Sequence, residues 1–339
     1  MIVISEKKER LSSRGLMVIG IVALVILVVG IILFYTGLNE AFYSDSGQTV
    51  FKIISYLGEP VVFIIISSIL FLAYDKTYAK NLALSLLITH YMNQIFKSIF
   101  KDPRPAPNEH QPDEFIETSY GFPSGHAQTA VGFWGYIGYE FKDKYKYKRI
   151  QIVPCVISVI IFLVAISRII IGVHDLQDMI GGLLLGIGFL LLFIFLEPPL
   201  SRQFNKLNFI VKIIITVIVS VALFLFGTFL FPDAGLGLVG SDNLYKDSGA
   251  FAVVGGVLLG FGVGYILEQE YIKYDPSQLS TKKKIINIII GIILLLVIFV
   301  PFEFLIADII DSVYFRFFRF ALPLFVLVFV VPLICKKIN

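Results

Sequence analysis

The sequence predicts an all-α, polytopic integral membrane protein. Of its 339 residues, 57% are hydrophobic and only 16% are charged, whereas a soluble domain is about half apolar and about a quarter charged. The apolar residues form continuous runs of about twenty, the length that a helix needs to cross the hydrocarbon core of a bilayer. Because these runs do not alternate with polar residues, helices are favoured over a β-barrel.

Ten apolar segments account for the predicted spans. The first follows a basic stretch and lacks the short apolar core and small-residue cleavage site of a secretory signal, so we interpret it as an uncleaved span. The fourth is short and rich in aromatic residues. The predicted spans are 16–35, 53–73, 80–100, 127–141, 150–171, 177–196, 208–231, 249–270, 285–306 and 318–335.

The positions of the basic residues predict how these spans are oriented. If the N-terminus is cytoplasmic, 20 of the 28 lysines and arginines lie on the inner side, which is the asymmetry expected of membrane proteins. Both termini are then cytoplasmic, in a cell membrane or an equivalent one. The net charge of +3 reflects this distribution around the bilayer, so no nucleic-acid partner is indicated.

A change in composition near residues 197–208 divides the chain into two parts. We expect a transmembrane core of six helices over residues 1–200 and an extension of about four helices over residues 201–339. Glycines at four-residue spacing in the extension are typical of closely packed helices rather than of a binding site. Packing, homo-oligomer formation and shaping of an entrance from the bilayer are all open roles for this part. The glycines are Gly256, Gly260 and Gly264.

Three polar motifs fall on the predicted outer face, between residues 97 and 178. The first, KSIFKDPRP (97–105), leaves the third helix, and the second, GFPSGHAQT (121–129), opens the fourth. The third, SRIIIGVHDLQD (167–178), connects the fifth and sixth helices. Since consecutive spans alternate in direction, we expect the three motifs to lie at the same membrane surface.

Cationic and hydrogen-bonding groups in these motifs indicate a phosphate site. Lys97, Arg104 and Arg168 supply three positive charges, and the planar fork of arginine matches phosphate oxygens. Ser124 and Gly125 begin a helix, where backbone N–H groups and the helix dipole favour an anion. Isolated basic residues near helix ends usually extend to the interface, but their grouping with two histidines favours a site.

The titratable groups of the motifs indicate phosphoryl transfer. His174 and Asp178 are four residues apart and share one face if that segment is helical. The carboxylate then holds one ring nitrogen and leaves the other as a nucleophile. His126 is the candidate general acid for the departing oxygen. These parts predict a phosphohistidine intermediate with no metal and no other cofactor.

The arrangement resembles the type 2 phosphatidic-acid phosphatase superfamily, which shares a core with vanadium haloperoxidases. The pattern is K-x6-R-P, then P-S-G-H, then S-R-x5-H-x3-D, and the resemblance covers roughly residues 50–196. It implies a six-helix membrane core with His174 as nucleophile and His126 as acid. The extra helices make this a longer member, similar in layout to sphingosine-phosphate phosphatases and glucose-6-phosphatases. The implied phosphate contacts are Lys97, Arg104, Ser124, Gly125 and Arg168.

The sequence therefore predicts a membrane lipid phosphatase whose active site lies at the outer interface. The expected substrate is a phosphate monoester or diphosphate of a membrane lipid: polyprenyl diphosphate, phosphatidate or a sphingoid-like phosphate, with a carrier-lipid diphosphate slightly favoured. A lipid-linked phosphotransferase with an alcohol acceptor and a catalytically silent transporter or scaffold are the alternatives. A haloperoxidase is disfavoured, because a membrane-embedded site favours amphiphiles over halide and peroxide.

A polar stripe precedes the first motif on the third predicted helix. His90, Asn93, Gln94 and Lys97 follow the i, i+3, i+4, i+7 spacing of one helix face. Polar groups within a span normally face the interior of the bundle. Hydrogen bonding between helices is the favoured role, and support of the phosphate site is the other.

Overall fold

Helices coincide with all ten predicted spans in the part of the chain that the structure describes. This computed structural model describes residues 11–36, 47–102, 104–105, 119–147, 150–231, 249–302, 306, 310 and 312–338. The α-helices are α1 (Ser13–Tyr35), α2 (Gln48–Ser55), α3 (Pro60–Ala73), α4 (Lys76–Phe100), α5 (Gly125–Glu140), α6 (Ile152–Ile170), α7 (Leu176–Asn205), α8 (Phe209–Leu230), α9 (Ala250–Leu267), α10 (Thr281–Pro301), α11 (Val313–Phe325) and α12 (Val331–Ile338).

Shorter elements connect or extend these helices. A 3₁₀ turn, Tyr56–Gly58, joins α2 to α3, and another, Pro276–Gln278, precedes α10. Two π-helical segments, Glu268–Ile272 and Val326–Val330, follow α9 and α11. A minimal antiparallel pair, β1 (Lys146–Tyr147) and β2 (Ile150–Gln151), lies between α5 and α6. The predicted all-α, polytopic membrane fold is confirmed.

Seven of the described helical segments are long and apolar enough to cross a membrane, or up to eight if the bent α2–α3 pair forms one span. The second predicted span is therefore not one straight helix, because α2 and α3 are bent by 46°. Pro60 lacks an N–H and stands at the first position of α3, where a helix tolerates proline. The short fourth predicted span corresponds to α5, which has only 16 residues. The polar stripe of the third predicted span lies on α4.

The core packs around α5, which contacts α4, α6 and α7. Ala127, Ala130 and Phe133 on this helix are completely buried. Their burial explains why a short span with small and aromatic residues occupies this place, since helices approach closely where side chains are small. Chain direction alternates, so the ends of α4 and α6 lie beside the beginnings of α5 and α7.

The extension packs against itself through glycines and against the core through apolar and charged groups. A Cβ atom at Gly260 would collide with the carbonyl oxygen of Ala321 on α11, which confirms the close packing predicted for these glycines. Phe261 and Val328 share an apolar cluster with Leu72 of α3. The predicted boundary at residue 200 stays a prediction, as does the orientation of the termini; α7 continues to Asn205.

Candidate active site

The three motifs meet at one end of the bundle, where α4 and α6 end and α5 and α7 begin. His174 lies in the short connection before α7, while Asp178 is in the first turn of that helix. The His174 Nδ1 atom lies 2.8 Å from Asp178 Oδ2, and both side chains are buried. Asp178 therefore holds Nδ1, which leaves Nε2 as the nitrogen that can attack a substrate.

The spacing suggested that His174 and Asp178 lie on one face of the same helix, but only Asp178 is in the helix. Asp175 is the N-cap of α7, and its side chain accepts a hydrogen bond of 2.9 Å from the N–H of Asp178. His174 thus precedes the helix, and its ring lies over the first turn. Carboxylates are favourable N-caps because they satisfy a free backbone N–H. Capping fixes the loop that carries His174.

Arg104 contacts the other nitrogen of the His174 ring. Its Nη1 atom lies 3.1 Å from His174 Nε2 and also donates to the carbonyl of Val173 at 2.8 Å. Guanidinium has only donors, so Nε2 accepts the bond and Nδ1 carries the ring proton. The ring is therefore the neutral tautomer, with its nucleophilic lone pair directed at Arg104.

Burial and positive charge keep His174 neutral. Desolvation is the largest cause that lowers the pKa of His174 well below its usual value, followed by repulsion from Arg104, Lys97 and Arg168. A charge on His126 acts in the same direction, so the two histidines lie within electrostatic reach of each other. A neutral imidazole is the form that can attack phosphorus.

Two of the three cations are buried within the bundle. Arg168 is completely buried, and its Nη1 donates a 2.6 Å hydrogen bond to Ser55 Oγ on α2. Lys97 donates to the carbonyl oxygens of Tyr120 and Gly121, the latter at 3.2 Å. Buried cations are costly unless they are paired, and phosphate oxygens are natural partners for these groups.

The second motif presents a helix N-terminus to the same region. Ser124 is the N-cap of α5, and its N–H donates to the Asp178 carbonyl at 2.9 Å. Within the described part of the chain, the buried Ser124 hydroxyl has no hydrogen-bond partner. Gly125 is the first residue of α5. A buried hydroxyl beside a helix N-terminus is suited to donate to an anion.

His126, on the first turn of α5, contacts a carboxylate that the motifs did not include. Its Nε2 atom lies 3.0 Å from Glu59 Oε1. Glu59 stands between the 3₁₀ turn and α3, within the predicted second span. An ionisable residue inside a span is by default a candidate for function, so this charge was the available signal. Ser55, the partner of Arg168, gives no such signal.

The polar stripe of α4 supports the second motif. Asn93 donates to the carbonyl of Pro123 at 3.1 Å and to Gln128 Oε1 at 2.9 Å, and Gln128 donates to the carbonyl of Thr89. This chain ties α4 to the segment that carries Ser124. The contact joins helices and also supports the site, so at Asn93 both predicted roles coincide.

Within the described ranges, no cluster of three or more histidine, cysteine, aspartate or glutamate side chains is suited to hold a metal ion. Residues 106–118, between the first two motifs, lie outside the described part of the chain. Among the predicted site residues, His174 contacts Asp178 and Arg104, and Asp178 also contacts Ser124 through its backbone carbonyl. Lys97, Arg168 and His126 act electrostatically on His174.

Two family models match this chain. The PAP2 superfamily model matches residues 78–202, and the model for the transmembrane extension of PAP2 superfamily phosphatases matches residues 252–339. Phosphatidylglycerophosphatase B of Bacillus subtilis (strain 168) is 35% identical over 137 residues, which are 38% of this chain and 62% of the relative.

Two mammalian proteins are also similar. Sphingosine-1-phosphate phosphatase 2 of Mus musculus is 28% identical over 40% of this chain and 38% of its own length. Sphingosine-1-phosphate phosphatase 1 of Rattus norvegicus is 27% identical over 71% of this chain and 56% of its own length. This chain thus spans less than two thirds of each relative, and no solved structure matches it. The chain belongs to the PAP2 superfamily and carries the transmembrane extension of its phosphatases.

Proposed function

We propose that the chain is a membrane lipid phosphatase that works through a phosphohistidine. His174 Nε2 attacks the phosphorus atom, so a P–N bond forms while the P–O bond to the lipid breaks. His126 gives a proton to the departing lipid oxygen. Water then attacks the phosphohistidine, the P–N bond breaks, and inorganic phosphate leaves. His126 takes up the proton of that water, and His174 returns to its neutral form.

The observation that carries this proposal is the environment of the His174 ring. Asp178 fixes the proton on Nδ1, and the buried cationic surroundings keep the ring neutral. A neutral ring with one nitrogen held by a carboxylate is the form that nucleophilic catalysis needs. Asp178 also stabilises the positive charge that the ring acquires as it attacks.

Stabilisation of charge on the transferred phosphoryl group is assigned to the cations and to the helix N-terminus. Lys97, Arg104 and Arg168 contribute positive charge, while Ser124 and Gly125 contribute a hydroxyl and backbone N–H groups. Preorganised donors of this kind are worth about 10²–10³-fold in rate for a single donor. Hydrolysis of phosphate monoesters is among the slowest uncatalysed reactions, so several such groups are needed.

The substrate class follows from the membrane setting and from the relatives. The names of two relatives refer to phosphatidylglycerophosphate and to sphingosine-1-phosphate. Both molecules join a lipid tail to a phosphate monoester. We propose a lipid phosphate of this general kind, either a monoester or a carrier-lipid diphosphate. The tail stays in the bilayer while the phosphate enters the cationic end of the bundle.

Topology completes the proposal. The basic residues favour cytoplasmic termini and an active site at the extracytoplasmic face. On the side of the bundle opposite the site, Lys76 pairs with Glu268 at 2.8 Å and Lys80 with Glu197 at 3.2 Å. We assign residues 1–200 to the catalytic core and residues 201–339 to the extension.

Incubation of the purified protein in detergent with radiolabelled lipid phosphates tests this function. We expect release of labelled phosphate and a labelled enzyme intermediate, both abolished in His174→Ala. Cys155→Ser, at an exposed position of α6, is the matched control and should behave like the unmodified protein. Near-normal phosphate release by His174→Ala would refute the nucleophile. Label transferred to an added alcohol would instead identify a phosphotransferase, and absence of turnover on every lipid phosphate would favour a silent scaffold.

A further inference from the structure

Glu59 is placed against His126 by the bend between α2 and α3. It occupies the N-cap position of α3, yet its side chain does not cap that helix. Instead Oε1 lies 3.0 Å from His126 Nε2. Serine, threonine, aspartate and asparagine are the usual N-caps, so a glutamate directed away from the helix end indicates another use for the carboxylate.

The turn that carries Glu59 is fixed against α5. Trp134 of α5 donates its indole N–H to the carbonyl of Leu57 at 2.9 Å. Gly58 lies so close to the histidine that a Cβ atom there would approach His126 Cδ2 to 2.7 Å. The 3₁₀ turn therefore packs onto the ring of His126, and this contact places the backbone next to Glu59 beside that ring.

The pair is only partly exposed: the His126 side chain is 15% and the Glu59 side chain 35% accessible. A carboxylate at hydrogen-bond distance fixes which ring nitrogen carries a proton and favours the protonated ring. Around His174 the charged groups are the cations Lys97, Arg104 and Arg168, which oppose its protonation, and the contacting Asp178. Glu59 is the carboxylate in contact with His126.

We propose that Glu59 is a positioning residue for His126. It holds Nε2 and keeps the ring protonated, so that Nδ1 delivers the proton to the departing lipid oxygen. The inference rests on the proposed phosphatase function. It gives His126, the proposed general acid, a carboxylate partner of the kind that Asp178 provides for His174. Glu59 itself does not touch the reacting atoms in this mechanism.

Two esters that differ in their need for an acid provide the test. An alkyl phosphate has a poor leaving group and requires protonation, whereas a nitrophenyl phosphate leaves readily without it. We expect Glu59→Gln to slow phosphoenzyme formation from the alkyl ester by about tenfold to a hundredfold, part of the 10²–10⁴-fold that a positioned acid contributes. Formation from the aryl ester should change by less than about threefold, because it bypasses the acid.

Further variants separate positioning from general damage to the fold. Glu59→Asp should recover part of the alkyl-ester rate, and the double variant Glu59→Gln/His126→Ala should be no slower than His126→Ala alone. Glu197→Gln removes another paired carboxylate, at the opposite end of the bundle, and is the matched control. Each variant is first checked as a single species by gel filtration in detergent, and Glu59→Ala replaces Glu59→Gln if the latter does not fold.

The outcomes distinguish this inference from the phosphatase proposal. Equal losses on both esters, or a double variant slower than His126→Ala, would overturn the role of Glu59. The same conclusion follows if Glu59→Gln matches the unmodified protein on the alkyl ester. If the unmodified protein forms no phosphoenzyme from either ester, the phosphatase proposal fails, and the inference about Glu59 fails with it.

Discussion

Arg104 Nη1 lies 3.1 Å from His174 Nε2, the ring nitrogen opposite the one that contacts Asp178. An N–H of the guanidinium is therefore hydrogen-bonded to the lone pair on Nε2, which is the lone pair that must attack phosphorus. A phosphate group that reaches Nε2 has to draw Arg104 onto its own oxygens. Substrate binding and exposure of the proposed nucleophile are thereby coupled through one side chain.

Arg104→Lys tests whether the planar fork of Arg104 is needed. Arg104 also donates from Nε to the carbonyl of Ser119 at 2.6 Å. It therefore contacts the backbone just before the second motif and the His174 ring at the same time. Lysine keeps the charge but not this geometry. We expect kcat/KM for a lipid phosphate to fall by about 10²-fold or more, the loss typical of one oriented charge-stabilising donor.

Arg202→Lys is the matched control for this substitution. Arg202 donates to the carbonyl of Pro198, four residues earlier, near the far end of α7. Its replacement should leave kcat/KM unchanged within the error of the assay. If Arg104→Lys is equally silent, charge alone suffices and the fork has no special role.

Asp178→Asn tests the tautomer of His174. The amide N–H₂ of asparagine would face Nδ1 and favour the tautomer with the proton on Nε2, which cannot attack. We expect phosphoenzyme formation, measured in a rapid-quench burst, to fall by about 10²–10⁴-fold, as for comparable substitutions in catalytic triads. Binding should change far less, because the backbone carbonyl of Asp178 still accepts from Ser124. A normal burst would show that Asp178 does not control the ring.

The depressed pKa of His174 predicts how stability depends on pH. In the unfolded chain the ring takes up a proton near pH 6.5, whereas in the folded protein burial and the neighbouring cations keep it neutral to well below that pH. The unfolded state therefore binds more protons as the pH falls below 6.5. The folded state loses up to about 1.4 kcal/mol per pH unit from this residue, down to its folded pKa.

Thermal unfolding in detergent at several pH values measures this effect. The comparison is between the unmodified protein and His174→Gln, which removes this titrating ring. Above pH 7 the difference between the two proteins should be constant. Below pH 6.5 the unmodified protein should lose stability faster than the variant. Parallel curves down to pH 5 would mean that the ring is not held neutral.

Local patterns predicted the spans and the three motifs, because each depends on residues close together in sequence. Contacts across the bundle were not predictable in this way. Glu59 lies 67 residues before His126, and Ser55 lies 113 residues before Arg168. The bend at Pro60 that brings both residues to the site interrupts an otherwise apolar run. Hydropathy predicted one continuous span there and gave no sign that Glu59 and Ser55 would reach the site.

Close packing of α7 against α5 predicts a last outcome, at Gly182. A Cβ atom there would lie 2.6 Å from the carbonyl oxygen of Ser124 and 3.0 Å from Ala127 Cβ. Backbone cannot move aside as a flexible side chain can, so Gly182→Ala must push the start of α5 away from α7. Overpacking of this kind costs about 1–3 kcal/mol, and it displaces the residue that presents the buried hydroxyl.

Gly188→Ala on the same helix separates this packing effect from helix propensity. A Cβ atom at Gly188 would meet no atom within 4 Å, so the substitution should raise stability by about 0.5–1 kcal/mol, the difference in helix propensity between glycine and alanine. Thermal unfolding in detergent and phosphate release are measured for both variants. We expect Gly182→Ala alone to lower the unfolding temperature and to reduce kcat. If both variants behave alike, the contact between α5 and α7 does not position Ser124, and the N-terminus of α5 tolerates displacement.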